Sequence, residues 1–180
     1  MARPVLHTER LALRPMTPEH LPLLHLLDSD PEVMRHLLGR ARTPAEIDAF
    51  WGPRCGDTIA DAVGLGWWVG FRGDDFVGWW DLSRSDSDPQ APVTLEAAEI
   101  GWRVRRLYWR QGLASEGALA LLAYGFDTVG VARIWAETKA ANVASQGVMR
   151  RIGLRRVRTD VPDATDHSVT YELTRAEWIR

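Results

Sequence analysis

Apolar and polar residues alternate through HTERLALRP, with Val5, Leu11 and Leu13 on the apolar phase, and Pro15 closes the run, which predicts a first strand. Three helix starts follow. Thr17-Pro18-Glu19, Asp30-Pro31-Glu32 and Thr43-Pro44-Ala45-Glu46 each set a capping residue before a proline, with an acid in the first turn. From Gly66 the pattern becomes that of strands: GWWVGFR, a turn at Gly73-Asp74-Asp75, then FVGWWDLS, together a β-hairpin. Beyond the loop RSDSDPQAP, TLEAAEIGWRV reads as a strand. An almost wholly apolar helix from Gln111 or Gly112 comes next, then ARIWAET as a strand and ANVASQGVMRRIG as a helix. LRRVRTD and HSVTYEL are strands around VPDAT, and Thr174 and Glu177 have the spacing of a capping box for a last helical turn. This order predicts a mixed α/β (α+β) fold in one domain, residues 1–180, with a mixed sheet of about seven strands and helices on both faces.

Composition narrows the partners. Nine tryptophans are many for 180 residues. Successive strand residues face opposite ways, so the pairs Trp67-Trp68 and Trp79-Trp80 each send one ring to either side of the sheet. Trp68, Trp79 or Trp80 is expected to wall a binding pocket or a subunit contact, with core packing as the alternative. The chain has 22 basic and 24 acidic residues, interspersed, so charge alone holds neither nucleic acid nor an anionic membrane. No apolar run is long enough to span a bilayer and MARPVLHTERLALRP lacks a signal-peptide core, so a cytoplasmic protein is expected. The single cysteine, Cys55, suits a reducing compartment. His7, His20, His25, His36 and His167 have no metal-ligand spacing, and no metal is expected.

The most informative stretch is YWRQGLASEGALALLAYGF, Tyr108 to Phe126. A glycine and small residues at a helix start aim unpaired N–H groups at one point, where the helix dipole also favours negative charge. Gly112 lets an anion approach the backbone, and Arg103, Arg105, Arg106 and Arg110 are expected to add positive charge. No Gly-x-Gly-x-x-Gly follows a strand and no Gly-Lys-Ser/Thr ends a loop, which removes most support for nucleotide hydrolysis or hydride transfer. Taken alone, the motif is more often that of a buried helix cap.

Three segments together, HTERLALRP, AEIGWRVRRLYWRQGLASEG and ARIWAETKAANVASQGVMRRIGL, resemble the GNAT acyl-CoA N-acyltransferases, and more narrowly the type of the ribosomal-protein N-terminal acetyltransferases RimJ and RimL. The family's glutamine/arginine-x-x-glycine-x-glycine/alanine motif lies on Trp109, Arg110, Gln111, Gly112, Leu113 and Ala114, with Trp109 at its first position and Arg110 where the subtype has glycine. Its asparagine-x-x-serine lies on Asn142 and Ser145, followed by Gly153 with Leu154 in place of phenylalanine. The resemblance implies that the anion is the pyrophosphate of acetyl-CoA, held by backbone N–H groups of Arg110, Gln111, Gly112, Leu113, Ala114 and Ser115. It implies too that the strand at Trp102 to Val104 splays from the neighbour beginning at Ala132, with the pantetheine arm in the gap facing Asn142 and Ser145. Homodimers are common among relatives.

Acyl transfer to an amine needs a base, an oxyanion site and a departing thiolate. Backbone N–H groups near Trp102 to Val104 are the expected oxyanion donors. Glu99, just before the splay, is the first candidate base, directly or through water, and Glu137 the second; a solvated strand carboxylate is the alternative reading of Glu99. Relatives have a tyrosine acid seven residues after the asparagine, where this chain has Met149; Ser145 is the substitute donor to sulfur, or else bonds backbone only. A thiol of pKa near ~8.5 leaves tolerably without an acid. Arg150, Arg151, Arg155, Arg156 and Arg158 are a solvated run or a hold on the nucleotide end of the coenzyme. Two further readings stay open: a longer donor such as succinyl-CoA, and a non-catalytic acyl-CoA-binding module.

Overall fold

The alternating run at the start folds as two strands. Thr8 N donates to Leu11 O (2.9 Å) and Leu11 N donates to Thr8 Oγ1 (2.9 Å), a tight turn that doubles β1 (Leu6–His7) back onto β2 (Ala12–Pro15). The hydroxyl offers the backbone an acceptor that the strand ladder would otherwise supply, and this breaks the run in two. The computed structural model describes residues 3–56, 62–83, 95–157 and 168–178. Over these the sheet has β3 (Gly66–Arg72), β4 (Asp75–Ser83), β5 (Ala98–Val104), β6 (Arg133–Lys139), β7 (Arg155–Arg156) and β8 (Ser168–Thr174) besides the first two. That makes eight strands where about seven were expected, in the order β1-β2-β3-β4-β5-β6-β8-β7, with β5 and β6 parallel and the other described pairs antiparallel. Of LRRVRTD, the residues from Arg158 onward lie outside the described residues, as does His167.

Each proline-led start begins a helix. A short 3-10 turn at Pro18–His20 runs into α1 (Leu21–Asp28), Asp30 caps α2 (Pro31–Met34), and Thr43 caps α3 (Pro44–Cys55). At α3, Thr43 Oγ1 accepts from Glu46 N while Glu46 Oε2 accepts from Thr43 N (2.8 Å). Hydrogen bonds from Arg40 first, and from the Thr43 backbone next, hold the Glu46 carboxyl down to about 2. The long apolar helix is α4 (Leu113–Ala123), ending in a wide turn at Tyr124–Val129. The fifth, α5, is Val143–Arg151, and Glu177 caps the last turn, α6 (Arg175–Trp178), from Thr174 N (2.9 Å).

The tryptophan pairs divide between two cores. Trp67 and Trp79 face α1 and α3, where their rings meet Trp51 edge-on at 5.0 and 5.4 Å between centroids and each other at 4.9 Å. Trp68 and Trp80 face α4 and α5 in the main core, both fully buried. The expectation that Trp68, Trp79 or Trp80 lines a pocket or a subunit contact is therefore corrected: all three are core residues, Trp79 in the core under α1 and α3 and the other two in the main core. The N–H groups of these two find backbone acceptors, Trp68 Nε1 on Pro4 O (3.0 Å) and Trp80 Nε1 on Ala114 O (3.1 Å).

Trp80 also explains a glycine inside α4. A Cβ on Gly117 would lie 2.5 Å from Trp80 Cε2, so the helix rests flat on the indole only because that side chain is absent. Gly117→Ala would gain about 1 kcal/mol of helix propensity on an exposed face. Here overpacking wins, and urea denaturation should show a net loss of about 1–2 kcal/mol.

Candidate active site

The chain leaves β5 through a 3-10 turn at Arg106–Tyr108 and enters α4 through Trp109 to Gly112. Gly112 is the N-cap in the left-handed region, φ 81°, and Arg110 is also left-handed, φ 60°. A left-handed cap with no side chain exposes the first-turn N–H groups of Leu113, Ala114 and Ser115, which no intrahelical carbonyl can reach. Glu116 N is the first to close a helical bond, on Gly112 O (3.0 Å).

An acid in the first turn, beside a site for anions, needs an explanation, and its partners supply it. Glu116 accepts from Thr8 Oγ1 (2.5 Å), Arg10 N (2.8 Å) and Arg10 Nε (2.7 Å), and Arg10 Nη1 reaches on to Gln111 O (2.9 Å). Burial pushes the Glu116 carboxyl up, but these hydrogen bonds and the Arg10 charge together hold it below its ordinary value. Its charge is thus spent on pinning the β1–β2 turn to the helix start. Trp80 holds Ala114 O from below, Gln111 Nε2 donates to Leu107 O (3.0 Å), and Trp109 Nε1 donates to Val104 O (2.6 Å). The loop is fixed from four directions before any ligand arrives.

Beside it the sheet opens. β4 and β5 pair along their length, from Ser83↔Glu99 to Gly78↔Val104, whereas β5 meets β6 only at Ala98↔Ile134 and Glu99↔Trp135. From Ile100 to Val104 the β6-facing edge of β5 has no strand partner among the described residues, which is the splay expected around Trp102 and Val104. Glu99 is half-buried on the last paired position. By strand alternation Trp135 and Glu137 point to the same face as Glu99, so the two candidate bases stand on opposite banks of the opening. Glu137 is exposed and accepts from Thr170 Oγ1 (3.4 Å).

Across the gap, Asn142 is the N-cap of α5. Its Oδ1 accepts from Ser145 N (3.2 Å) and its Nδ2 donates to Thr138 Oγ1 (3.1 Å). Ser145 is half-buried. Met149 is fully packed in the main core, which gives the usual tyrosine position a structural use.

The arginines around the seat divide. Arg106 and Arg110 are exposed beside the loop, but Arg105 Nη1 turns away to Phe76 O (2.9 Å). Arg103 does not reach the seat at all. Alternation sends it to the opposite face, where it is buried and bonds Asp28 Oδ1 at the end of α1. Asp28 Oδ2 also accepts from Arg42 Nη1 (2.8 Å) and Trp51 Nε1 (2.9 Å). Burial pulls the Arg103 guanidinium down, against the opposing pull of Asp28. This network ties β5, at the splay, to α1, α3 and the Arg42 segment. Sequence reading missed it, although an aspartate ending the apolar run LPLLHLLD was its trace.

Among the described residues, no group of three or more His, Cys, Asp or Glu gathers to hold a metal, and no helix is long and apolar enough to cross a membrane.

A coenzyme A thioester fits these features. Gly112 would tolerate an atom at its Cβ position with only Arg10 Nη2 nearby, at 3.5 Å, so the seat is open where a pyrophosphate would come. The family model described as acetyltransferase (GNAT) domain matches residues 10–155. The FsC-acetyl coenzyme A-N(2)-transacetylase of Aspergillus fumigatus is 38% identical over 191 residues, covering 99% of this chain and 80% of that one. In fold, the chain is similar to a GNAT-family acetyltransferase from Bacillus anthracis, with TM-score 0.76 and 24% identity over 97% of this chain and 100% of that chain. It is likewise similar to the RimL ribosomal L7/L12 alpha-N-protein acetyltransferase solved with coenzyme A, with TM-score 0.74 and 18% identity over 95% and 98% of the two chains. The chain belongs to the GNAT acetyltransferase family and is an N-acetyltransferase that uses acetyl-CoA as its acyl donor.

Proposed function

We propose that the enzyme transfers the acetyl group directly to a primary amine of a small molecule, within a ternary complex and as one catalytic domain in the cytoplasm. The observation that carries this is the opening between β5 and β6, which faces Glu99 on one side and the α4 start on the other. The fungal relative, named for N(2) transfer from acetyl coenzyme A, supports a nitrogen nucleophile. The single, buried Cys55 fits a reducing compartment.

In this reading the first-turn N–H groups of α4 and the loop from Arg110 bind the pyrophosphate, with Trp102 and Val104 along the pantetheine arm. Glu99, directly or through water, takes the proton of the incoming ammonium. The neutral nitrogen attacks the thioester carbon, and N–H groups on the unpaired edge of β5 stabilise the oxyanion. The C–S bond then breaks, and the second proton of the attacking nitrogen passes through water or Ser145 to the departing thiolate, leaving the neutral amide and the free thiol. Met149 supplies no acid, which the modest basicity of a thiolate tolerates.

The test is thiol release from acetyl-CoA against a panel of small amines, with initial rates at varied concentrations of both substrates. Intersecting lines are expected; parallel lines would contradict direct attack. Glu99→Gln should lower kcat about 10²–10³-fold with acetyl-CoA affinity unchanged. Full retention of kcat would move the base elsewhere, with Glu137 next.

A further inference from the structure

Glu116 places a negative charge at the mouth of a seat for a polyanion. It stands one turn after Gly112, and its side chain leans back toward the helix start, as side chains in a helix do. There it meets Arg10. Arg10 Nη2 lies 2.6 Å from Glu116 Oε2 and 3.5 Å from the place of a Cβ on Gly112, while Nη1 donates to Gln111 O (2.9 Å). One planar group thus touches both the carboxylate and the anion loop, so the Glu116 charge is a guanidinium's width from the seat. That is inside the screening length of about 8 Å at physiological salt.

The helix dipole favours a first-turn acid while the seat is empty, but two negative groups at one helix start repel each other once a pyrophosphate arrives. Arg10 answers this in two ways. It makes the pair neutral, and it fixes where the carboxylate points: Nε and Nη2 hold Oε2, while Arg10 N and Thr8 Oγ1 hold Oε1, so both oxygens are turned to the β1–β2 turn. No neighbouring cation duplicates it, since Arg72 Nη1 reaches only Gln111 Oε1, at 3.5 Å, and Arg106 and Arg110 make no contact with Glu116. With its side chain 39% exposed, Arg10 is not a core residue, and a polar replacement leaves the packing beneath intact.

Resting on the seat reading above, we propose that Arg10 is a positioning residue for the coenzyme: it holds the Glu116 carboxylate as a neutral pair turned away from the pyrophosphate, and so sets the affinity for acetyl-CoA.

The test is calorimetric titration with acetyl-CoA, together with KM and kcat, for wild type, Arg10→Gln, Glu116→Gln and the double variant, each shown to be folded by thermal denaturation. Arg10→Gln releases the carboxylate charge and should weaken binding roughly tenfold or more, raising KM for acetyl-CoA to match while kcat at saturation stays unchanged. Glu116→Gln should bind at least as tightly as wild type, because the guanidinium then keeps its charge uncompensated. The double variant should return close to wild-type affinity, which a purely structural role for Arg10 would not allow, since the double variant gives up more of the contacts that pin the turn. Arg10→Lys keeps the charge with fewer donors and should stay within about threefold of wild type, which keeps the question answerable if Arg10→Gln folds poorly. A double variant as weak as Arg10→Gln, an Arg10→Gln as tight as wild type, a fall in its kcat at saturation, or a tenfold loss in Arg10→Lys would overturn the inference. No binding by wild type, or binding that survives Gly112→Val, would instead overturn the seat beneath it.

Discussion

Gly112→Val should abolish turnover at any practical acetyl-CoA concentration. A Cβ at Gly112 would meet nothing beyond its chain neighbours closer than Arg10 Nη2 at 3.5 Å, so the fold has room for the side chain, while a branched one crowds the backbone that the pyrophosphate would approach. The backbone there has φ 81°, so a β-branched residue also carries strain, about 1–3 kcal/mol. The two effects are separable. Thermal denaturation reads the strain, and initial rates on protein shown to be folded read the lost site. Gly112→Ala should act in the same direction with a smaller effect, since its single methyl narrows the seat without filling it. Turnover retained by the folded valine variant would place the pyrophosphate elsewhere.

The largest effect on stability is expected at Asp28, which is fully buried and accepts from Arg103, Arg42 and Trp51. Asp28→Ala leaves the buried Arg103 guanidinium without the carboxylate it hydrogen-bonds, a change of about 3–5 kcal/mol. Urea denaturation should show that loss, and the double variant Asp28→Leu with Arg103→Met should recover much of it, because the penalty comes from the stranded charge. A loss below about 1 kcal/mol in Asp28→Ala would mean that the network is not what joins α1 to β5. The consequence reaches function, since Arg103 stands on the splayed part of β5.

Much of this was legible in the chain, and the limits have physical reasons. The helix starts were readable because Thr17, Asp30 and Thr43 precede prolines, a local signal. The split of the tryptophan pairs followed from strand alternation, and the helix start at Gly112 from a glycine before an apolar run. The turn between β1 and β2 was missed because Thr8 Oγ1 breaks an alternation that is otherwise that of one strand. Arg103 was misplaced because its neighbours in sequence, not its side of the strand, suggested a role at the seat. Trp68, Trp79 and Trp80 were offered as pocket walls because sequence gives the face of a ring but not what covers it. The partners Arg10–Glu116 and Arg103–Asp28 join residues distant in sequence, and no local pattern announces them.

The most direct measurement is a calorimetric titration of the wild-type protein with acetyl-CoA. One saturable site per chain is the predicted result, with affinity falling at high salt as the pyrophosphate contact is screened. Absence of binding across millimolar acetyl-CoA would contradict the account, because the glycine-capped start of α4 and the opening beside β5 would then have no acyl donor to hold.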